Sequence, residues 1–357
     1  MLLTTARTLF PGAMGPEGFI SCFDHLLPDA QLRRRIILKG GPGVGKSTFM
    51  RRIHAALCEH GEPSTLYFCS GDPDSLDAVA IEHAGLLILD GTAPHIVDPV
   101  IPGARDSIVN LGACLNEAAM RPRLAHIRTC MNDHTAATRR ARAFLRAACA
   151  LEQDASALIA SCCDATRMEL MTRTLVSAVL CITGEASEAP FSRPVITDAV
   201  TPKGELCLLG ENAARRIIRL LGPSGMDFTP VLKALGSAAL AAGYCTEEHL
   251  CPTMPSRLLH LGIPALHTLV TTSEFLPSEQ SFDFAACIPA GALLRHECAL
   301  DQLLAAAKQH RRQAVSALAQ AKQLHDELET FYVPNMDFAR WQSLFDQTLQ
   351  TLQPQHE

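Results

Sequence analysis

The sequence predicts an α/β protein of two tandem copies of one domain, each a mostly parallel sheet flanked by helices and followed by a helical extension. Three observations predict it. A strand, a glycine-rich turn and a helix succeed one another at 35–60, residues 33–92 align with a later segment, and helix-rich sequence follows each aligned region. At 357 residues the chain exceeds one ordinary core, which also favours two domains.

The first strand is Arg35–Lys39 (RIILK), and the helix after the turn runs from Lys46 to about His60. Further strands are expected at Thr65–Cys69 and Leu86–Asp90. Strand, helix and strand at this rhythm imply parallel strands joined by right-handed crossovers. From about Ala136 to Val179 the pattern is helical, and the apolar run Leu175–Thr183 reads as a last strand.

Sliding the chain by 182 residues aligns 33–92 with 215–274 without a gap. Arg33, Ile36, Leu38, Gly40 and Gly43 fall on Arg215, Ile218, Leu220, Gly222 and Gly225; Gly61, Cys69, Ile81 and Leu87 fall on Gly243, Cys251, Ile263 and Leu269. An offset of 186 pairs Arg7, Ala13, Pro16 and Gly18 with Arg193, Ala199, Pro202 and Gly204. The matches gather at turn glycines and apolar strand positions, where a shared fold demands them. The polar loop Gly184–Arg193 separates the copies, giving expected domains 1–188 and 189–357. A helix from Ala299 to about Tyr332 has no Gly or Pro before Pro334, and Asp337 is placed to cap a final helix holding Trp341 and Leu344.

Composition narrows the function classes. Hydrophobic residues make up 48%, charged residues 19%, and the formal net charge is −6. That charge gives no general attraction to nucleic acid or anionic lipid, and aromatic residues at 5% are too few for stacking platforms. Nothing reads as a signal peptide or a run of about 18 apolar residues, so a cytoplasmic protein without a membrane partner is expected. The fourteen cysteines include no CxxC pair. They read as free thiols, most of them buried, and Cys245, His249 and Cys251 lack the paired spacing of a structural zinc site.

Gly40-Gly41-Pro42-Gly43-Val44-Gly45-Lys46-Ser47 fits G-x-x-x-x-G-K-[ST] between an apolar strand and a helix. Glycines let backbone N–H groups converge on a phosphate, and the following helix presents its positive end. Lys46 is then expected between the β- and γ-phosphates, Ser47 on Mg²⁺ and Thr48 near the α-phosphate. Asp90, straight after Leu86–Leu89, is the candidate carboxylate for the same metal. The segment GDPDSLD adds Asp72, Asp74 and Asp77. Asp72 is taken with Lys46 and Asp90 into the catalytic set; as an alternative use of the segment, Asp74 or Ser75 would cap a following helix. His95 and Asp98 lie beyond the third strand. Arginines at 121–146 read as a solvated helix face or as a lid over phosphates. In the second copy, Gly45, Lys46, Ser47 and Thr48 become Asp227, Phe228, Thr229 and Pro230, and Asp90 becomes Thr272, so that copy is expected to repel triphosphate.

The chain resembles an uncharacterised bacterial family of tandem P-loop ATPases, within the P-loop NTPase superfamily. The resemblance rests on LKGGPGVGKST at 38–48, CSGDPDSLDAV at 69–79, LDGTAPHIVDPVIPGA at 89–104, NLG at 110–112 and KQLHDELETFYVPNMDF at 322–338. It implies two fused P-loop NTPase-like domains, here with the second loop degenerate. The expected function is binding of ATP with Mg²⁺ and hydrolysis in the first domain, as an ATPase or switch coupled to a protein client. ATP is favoured over GTP because no N-K-x-D motif follows the loop. The alternatives are a kinase passing the γ-phosphate to a nucleotide or small metabolite, and an ATP-loaded scaffold without turnover.

Overall fold

The computed structural model describes residues 6–58, 63–210 and 214–352. The first half runs β1 (Arg7–Leu9), the hairpin β2 (Gly12–Met14) and β3 (Phe19–Ser21), β4 (Arg34–Lys39), α1 (Lys46–Leu57), β5 (Ser64–Phe68), β6 (Leu76–Ile81), β7 (Leu86–Asp90) and β8 (Asp106–Asn110). One-turn α2 (Glu117–Met120), long α3 (Leu124–Cys162) and α4 (Ala165–Leu180) follow. The second half runs β9 (Ser192–Val195), the hairpin β10 (Asp198–Thr201) and β11 (Gly204–Cys207), β12 (Arg216–Leu221), α5 (Thr229–Ala241), β13 (Thr246–Cys251), β14 (Met254–Ile263), β15 (Thr268–Thr271) and β16 (Gln280–Asp283). It ends in α6 (Glu297–Tyr332) and α7 (Phe338–Leu352). Both Gly61 and the expected helix end at His60 fall outside the described residues.

The fold is α/β, with two six-stranded sheets ordered β1-β5-β6-β7-β4-β8 and β9-β13-β14-β15-β12-β16. Position for position the two orders are the same, and β4 and β12 begin and end 182 residues apart. Both sheets are mixed, where the sequence reading expects mostly parallel ones, because β6 and β14 run antiparallel to both neighbours. The segment GDPDSLD is accordingly the turn into β6 and caps no helix. The expected last strand at Leu175–Thr183 is also corrected, since it lies mostly in α4. A short apolar run does not separate strand from helix by itself, and here Leu175 and Val179, four residues apart, face one core.

The helical extensions are exchanged. The first core (Ile36, Phe49, Met50, Ile53, Ile88) is completed by Met336, Trp341 and Phe345 from the end of the chain. The second core (Ile218, Leu232, Leu235, Val270, Phe284) is completed by Leu175 and Val179 of α4. A cut at 188 separates the sheets but leaves each capping helix on the far side from the core it fills. What carries them across is α3 against α6. The pair is antiparallel: the Cys130 thiol donates to Leu324 O, Arg140 to Gln320, and Arg311 pairs with Glu152. Alanines at 137, 141, 148 and 155 on one helix and at 307, 314 and 321 on the other are buried, which lets the backbones approach closely along a heptad-like seam.

The two edge strands β1 and β9 meet across the halves. Phe10 N–H donates to Ile196 O at 2.9 Å. Glu247 accepts Arg7 Nη1 at 2.8 Å and Arg193 Nε at 3.0 Å. Burial pushes the Glu247 carboxyl up, but hydrogen bonding and charge from Arg7, with Arg193 behind it, hold it below the usual range. Glu247→Gln is expected to cost roughly 2–3 kcal/mol by stranding two guanidinium groups. A depressed carboxylate stabilises the fold above its unfolded pKa of 4.5 and loses that contribution as pH falls below it. Urea titrations at pH 7 and pH 3.5 check both: the gap between wild type and variant should shrink at the lower pH.

Candidate functional site

At the end of β4 the chain turns through Gly40–Gly45 and enters α1 at Lys46. Gly43 and Gly45 adopt φ of 67° and 83°, left-handed values that favour glycine. Gly45 is the N-cap of α1, so the open N–H groups of the first turn face the loop. Lys46 Nζ donates to Gly40 O and Gly41 O, each at 2.9 Å, folding the side chain back along the loop. It also lies 3.4 Å from Asp90 Oδ2. The Ser47 hydroxyl accepts Leu76 N–H at 3.0 Å and keeps its second lone pair and its proton. Pro42 and Val44 complete the loop, with Val44 buried, and Thr48 is exposed on the first turn of α1.

Asp90 closes β7. Its Oδ1 accepts from the Thr92 N–H and hydroxyl at 2.9 and 2.6 Å, which leaves Oδ2 facing Lys46. Asp77 on β6 and His95 in the following loop join it: ligand atoms of Asp77, Asp90 and His95 lie within 4.8 Å of one another. The His95 ring stacks on Phe23 with centroids 4.6 Å apart. Burial first, then the charge of Asp90, pushes the Asp77 carboxyl up to about 7, while burial pushes His95 down. Asp77 Oδ2 and His95 Nδ1 are buried without a hydrogen-bond partner. Buried polar atoms are normally satisfied, so two orphans beside the loop mark a place where a ligand or ordered water belongs.

The other expected residues are placed differently. Asp72 accepts from the Ser75 hydroxyl at 2.7 Å and lies 3.7 Å from Lys322 of α6, so it is paired with the helical extension while Asp77 joins Asp90. Asp74 is exposed and paired with Lys203 of the second half. Asp98 accepts from Lys39 at 3.0 Å. The arginines from 128 to 146 lie along α3; Arg146 is paired with Glu17 and Arg140 with Gln320. They sit on a helix packed against α6, while Arg121 and Arg123 lie in the turn just before it.

Sequence reasoning missed the roof of the loop, which comes from the other end of the chain. Trp341 Nε1 donates to Val44 O at 3.1 Å. Glu329 packs beside Gly43, where an added Cβ would stand 3.3 Å from Glu329 Cβ. A Cβ on Gly41 would stand 3.2 Å from the Tyr332 ring, and one on Gly43 would stand 2.8 Å from Val333. A signal was present: Asp164-Ala-Thr-Arg167 and Asp337-Phe-Ala-Arg340 are a third pair of repeats, at an offset of 173. Each aspartate caps its helix by accepting the N–H of the arginine three residues on.

In the second half the equivalent loop is filled by its own side chains. Asp227 Oδ1 accepts both Thr229 N–H and the Thr229 hydroxyl, which sets a carboxylate at the start of α5. Phe228 is buried edge-on against Phe284, with centroids 5.5 Å apart. The Thr229 hydroxyl still accepts Leu258 N–H at 3.0 Å, as Ser47 accepts Leu76 N–H. The turn contact is kept, while the side chains expected to meet phosphate in the first half are replaced by Asp227 and Phe228. Cys245, His249 and Cys251 are not gathered as a ligand set; His249 binds Thr197 and Cys251 meets Thr253.

No family model matches the chain, and it matches no curated protein and no solved structure.

Proposed function

We propose that the first half binds a nucleoside triphosphate with Mg²⁺, ATP in preference to GTP, and hydrolyses it, in the manner of a P-loop NTPase. The observation that carries this reading is the glycine loop at the N-terminus of α1 with Lys46, Ser47 and Asp90 converging on it. The helix end and the loop amides supply positive potential for a polyphosphate. Lys46 would exchange its bonds to Gly40 O and Gly41 O for phosphate oxygens. The donor set also fits a hard cation, through Ser47 Oγ and Oδ2 of Asp90, once Lys46 turns from that oxygen to phosphate. Bound there, Mg²⁺ would neutralise charge on the phosphates. Asp77, whose buried Oδ2 accepts no hydrogen bond and lies 3.9 Å from His95 Nε2, would take a proton from an attacking water.

Hydrolysis is preferred to transfer because most of the arginines that a kinase reading needs as a lid, from 128 to 146, lie along α3, which packs on α6. Titration of ATP into wild type and Lys46→Ala, by calorimetry with Mg²⁺ present, tests the proposal. Binding is expected to weaken about 10- to 100-fold in the variant, one to two steps of 1.4 kcal/mol. No binding to wild type, or equal binding to both, overturns it.

A pH dependence follows from Asp77. With its carboxyl at about 7, the base form is lost as pH falls below that value. Turnover is expected to drop about tenfold per pH unit on the acid side. Asp77→Asn should be slow and flat over the same range, which a steady-state phosphate-release assay from pH 5.5 to 8.5 measures.

A further inference from the structure

The half of the chain that has lost its phosphate-binding residues holds a constellation the first half lacks. Asp198 and Cys207 face each other across the β10–β11 hairpin, and His260 reaches them from β14. Their ligand atoms lie within 4.8 Å of one another, with His260 Nε2 3.1 Å from Asp198 Oδ2. Tetrahedral zinc with bonds of 2.0–2.3 Å sets its ligand atoms about 3.3–3.7 Å apart, so small side-chain adjustments bring all three onto one ion. We propose that Asp198, Cys207 and His260 form a binding site for a zinc-class divalent metal, with its fourth coordination position open to the adjoining cavity.

Several observations converge on a site and not on a simple ion pair. An aspartate–histidine pair accounts for two of the residues and leaves out Cys207, whose Sγ lies within 4.8 Å of the same carboxylate. Outer partners orient the ligands. His260 Nδ1 lies 2.8 Å from Thr271 Oγ1, a partner that can accept the ring proton once Nε2, which now faces Asp198 Oδ2 at 3.1 Å, turns its lone pair to a metal. The Thr197 hydroxyl donates to Asp198 Oδ2 at 2.8 Å. All three side chains line a cavity of about 500 Å³, walled also by the degenerate loop, Arg257 and Arg311. His260 is buried and Cys207 is exposed, so the ion would have both a fixed base and an entry path.

The repeat sharpens the argument. By strand register, Asp198, Cys207 and His260 correspond to Gly12, Ser21 and Ala78 of the first half. None of those three is a good metal ligand. Three ligand-type residues at positions where the sister copy has small ones are not explained by the common framework.

The test uses the full chain, stripped with a chelator and titrated with Zn²⁺ against a chromophoric competitor, and separately loaded with Co²⁺. One zinc per chain is expected, with a thiolate-to-cobalt charge-transfer band in the near ultraviolet. Cys207→Ser is isosteric at an exposed position and leaves the fold intact. It is expected to abolish that band and weaken zinc at least about tenfold, as is Asp198→Asn for affinity. Failure of the wild type to retain zinc overturns the proposal. So does a charge-transfer band and affinity unchanged in Cys207→Ser, which would assign the metal to other thiols.

Discussion

Trp341→Ala is expected to lower the unfolding free energy by about 3–5 kcal/mol, the usual cost of emptying a buried aromatic site. The ring stacks on Phe345 with centroids 5.9 Å apart and meets Phe49 of α1 edge-on at 5.6 Å. Truncation removes that apolar area and both ring contacts, and it strands the Val44 carbonyl that Nε1 now satisfies. Trp341→Phe separates the contributions: it keeps most of the packing and loses the hydrogen bond, so about 1–2 kcal/mol is expected. Guanidinium unfolding followed by circular dichroism gives both numbers. A loss below 1 kcal/mol for the alanine variant would mean that α7 does not complete the first core. Because Trp341 is the single tryptophan of the chain, its fluorescence in the wild type also reports directly on the glycine loop.

The second large effect concerns Asp90. Asp90→Asn is expected to lower Mg²⁺-dependent ATP turnover about 10²- to 10³-fold, the range seen when one group stabilising transition-state charge is removed. The substitution keeps the size and the Thr92 contact at Oδ1 but removes the charge opposite Lys46 and the anionic oxygen available to a metal. Nucleotide binding measured without Mg²⁺ should change by less than about threefold, since no Asp90 oxygen would touch phosphate. Turnover within threefold of wild type, by phosphate release at saturating ATP, would remove Asp90 from the proposed chemistry.

Much of the arrangement was legible in the residues. The glycine pattern located the loop, the strand–helix context located its helix, and the repeat anticipated two sheets with one strand order. Asp337 as a cap was readable because Asp, Asn, Ser and Thr satisfy open helix N–H groups. Other features were hidden for physical reasons. β6 escaped notice because its sequence, LDAVAI, is buried along its whole length and shows no clean alternation, and the acidic turn before it resembles a helix start. Asp77 could not be ranked above Asp72 from spacing, because only the pleat of β6 decides which carboxylate meets Asp90. The exchange of helices was least accessible, since it depends on which core each amphipathic face finds and not on local preference.

That exchange has a mechanical consequence. With 36 residues at 1.5 Å each, α6 is a rod of about 54 Å. One end carries Glu329 and Tyr332 against the glycine loop, and the rest lies beside α3, whose far end packs into the opposite core. Any ligand that displaces Glu329 and Tyr332 from the glycine loop therefore pushes on a stiff strut anchored in both halves. Neither half can be excised intact, because each would take with it the other's missing layer.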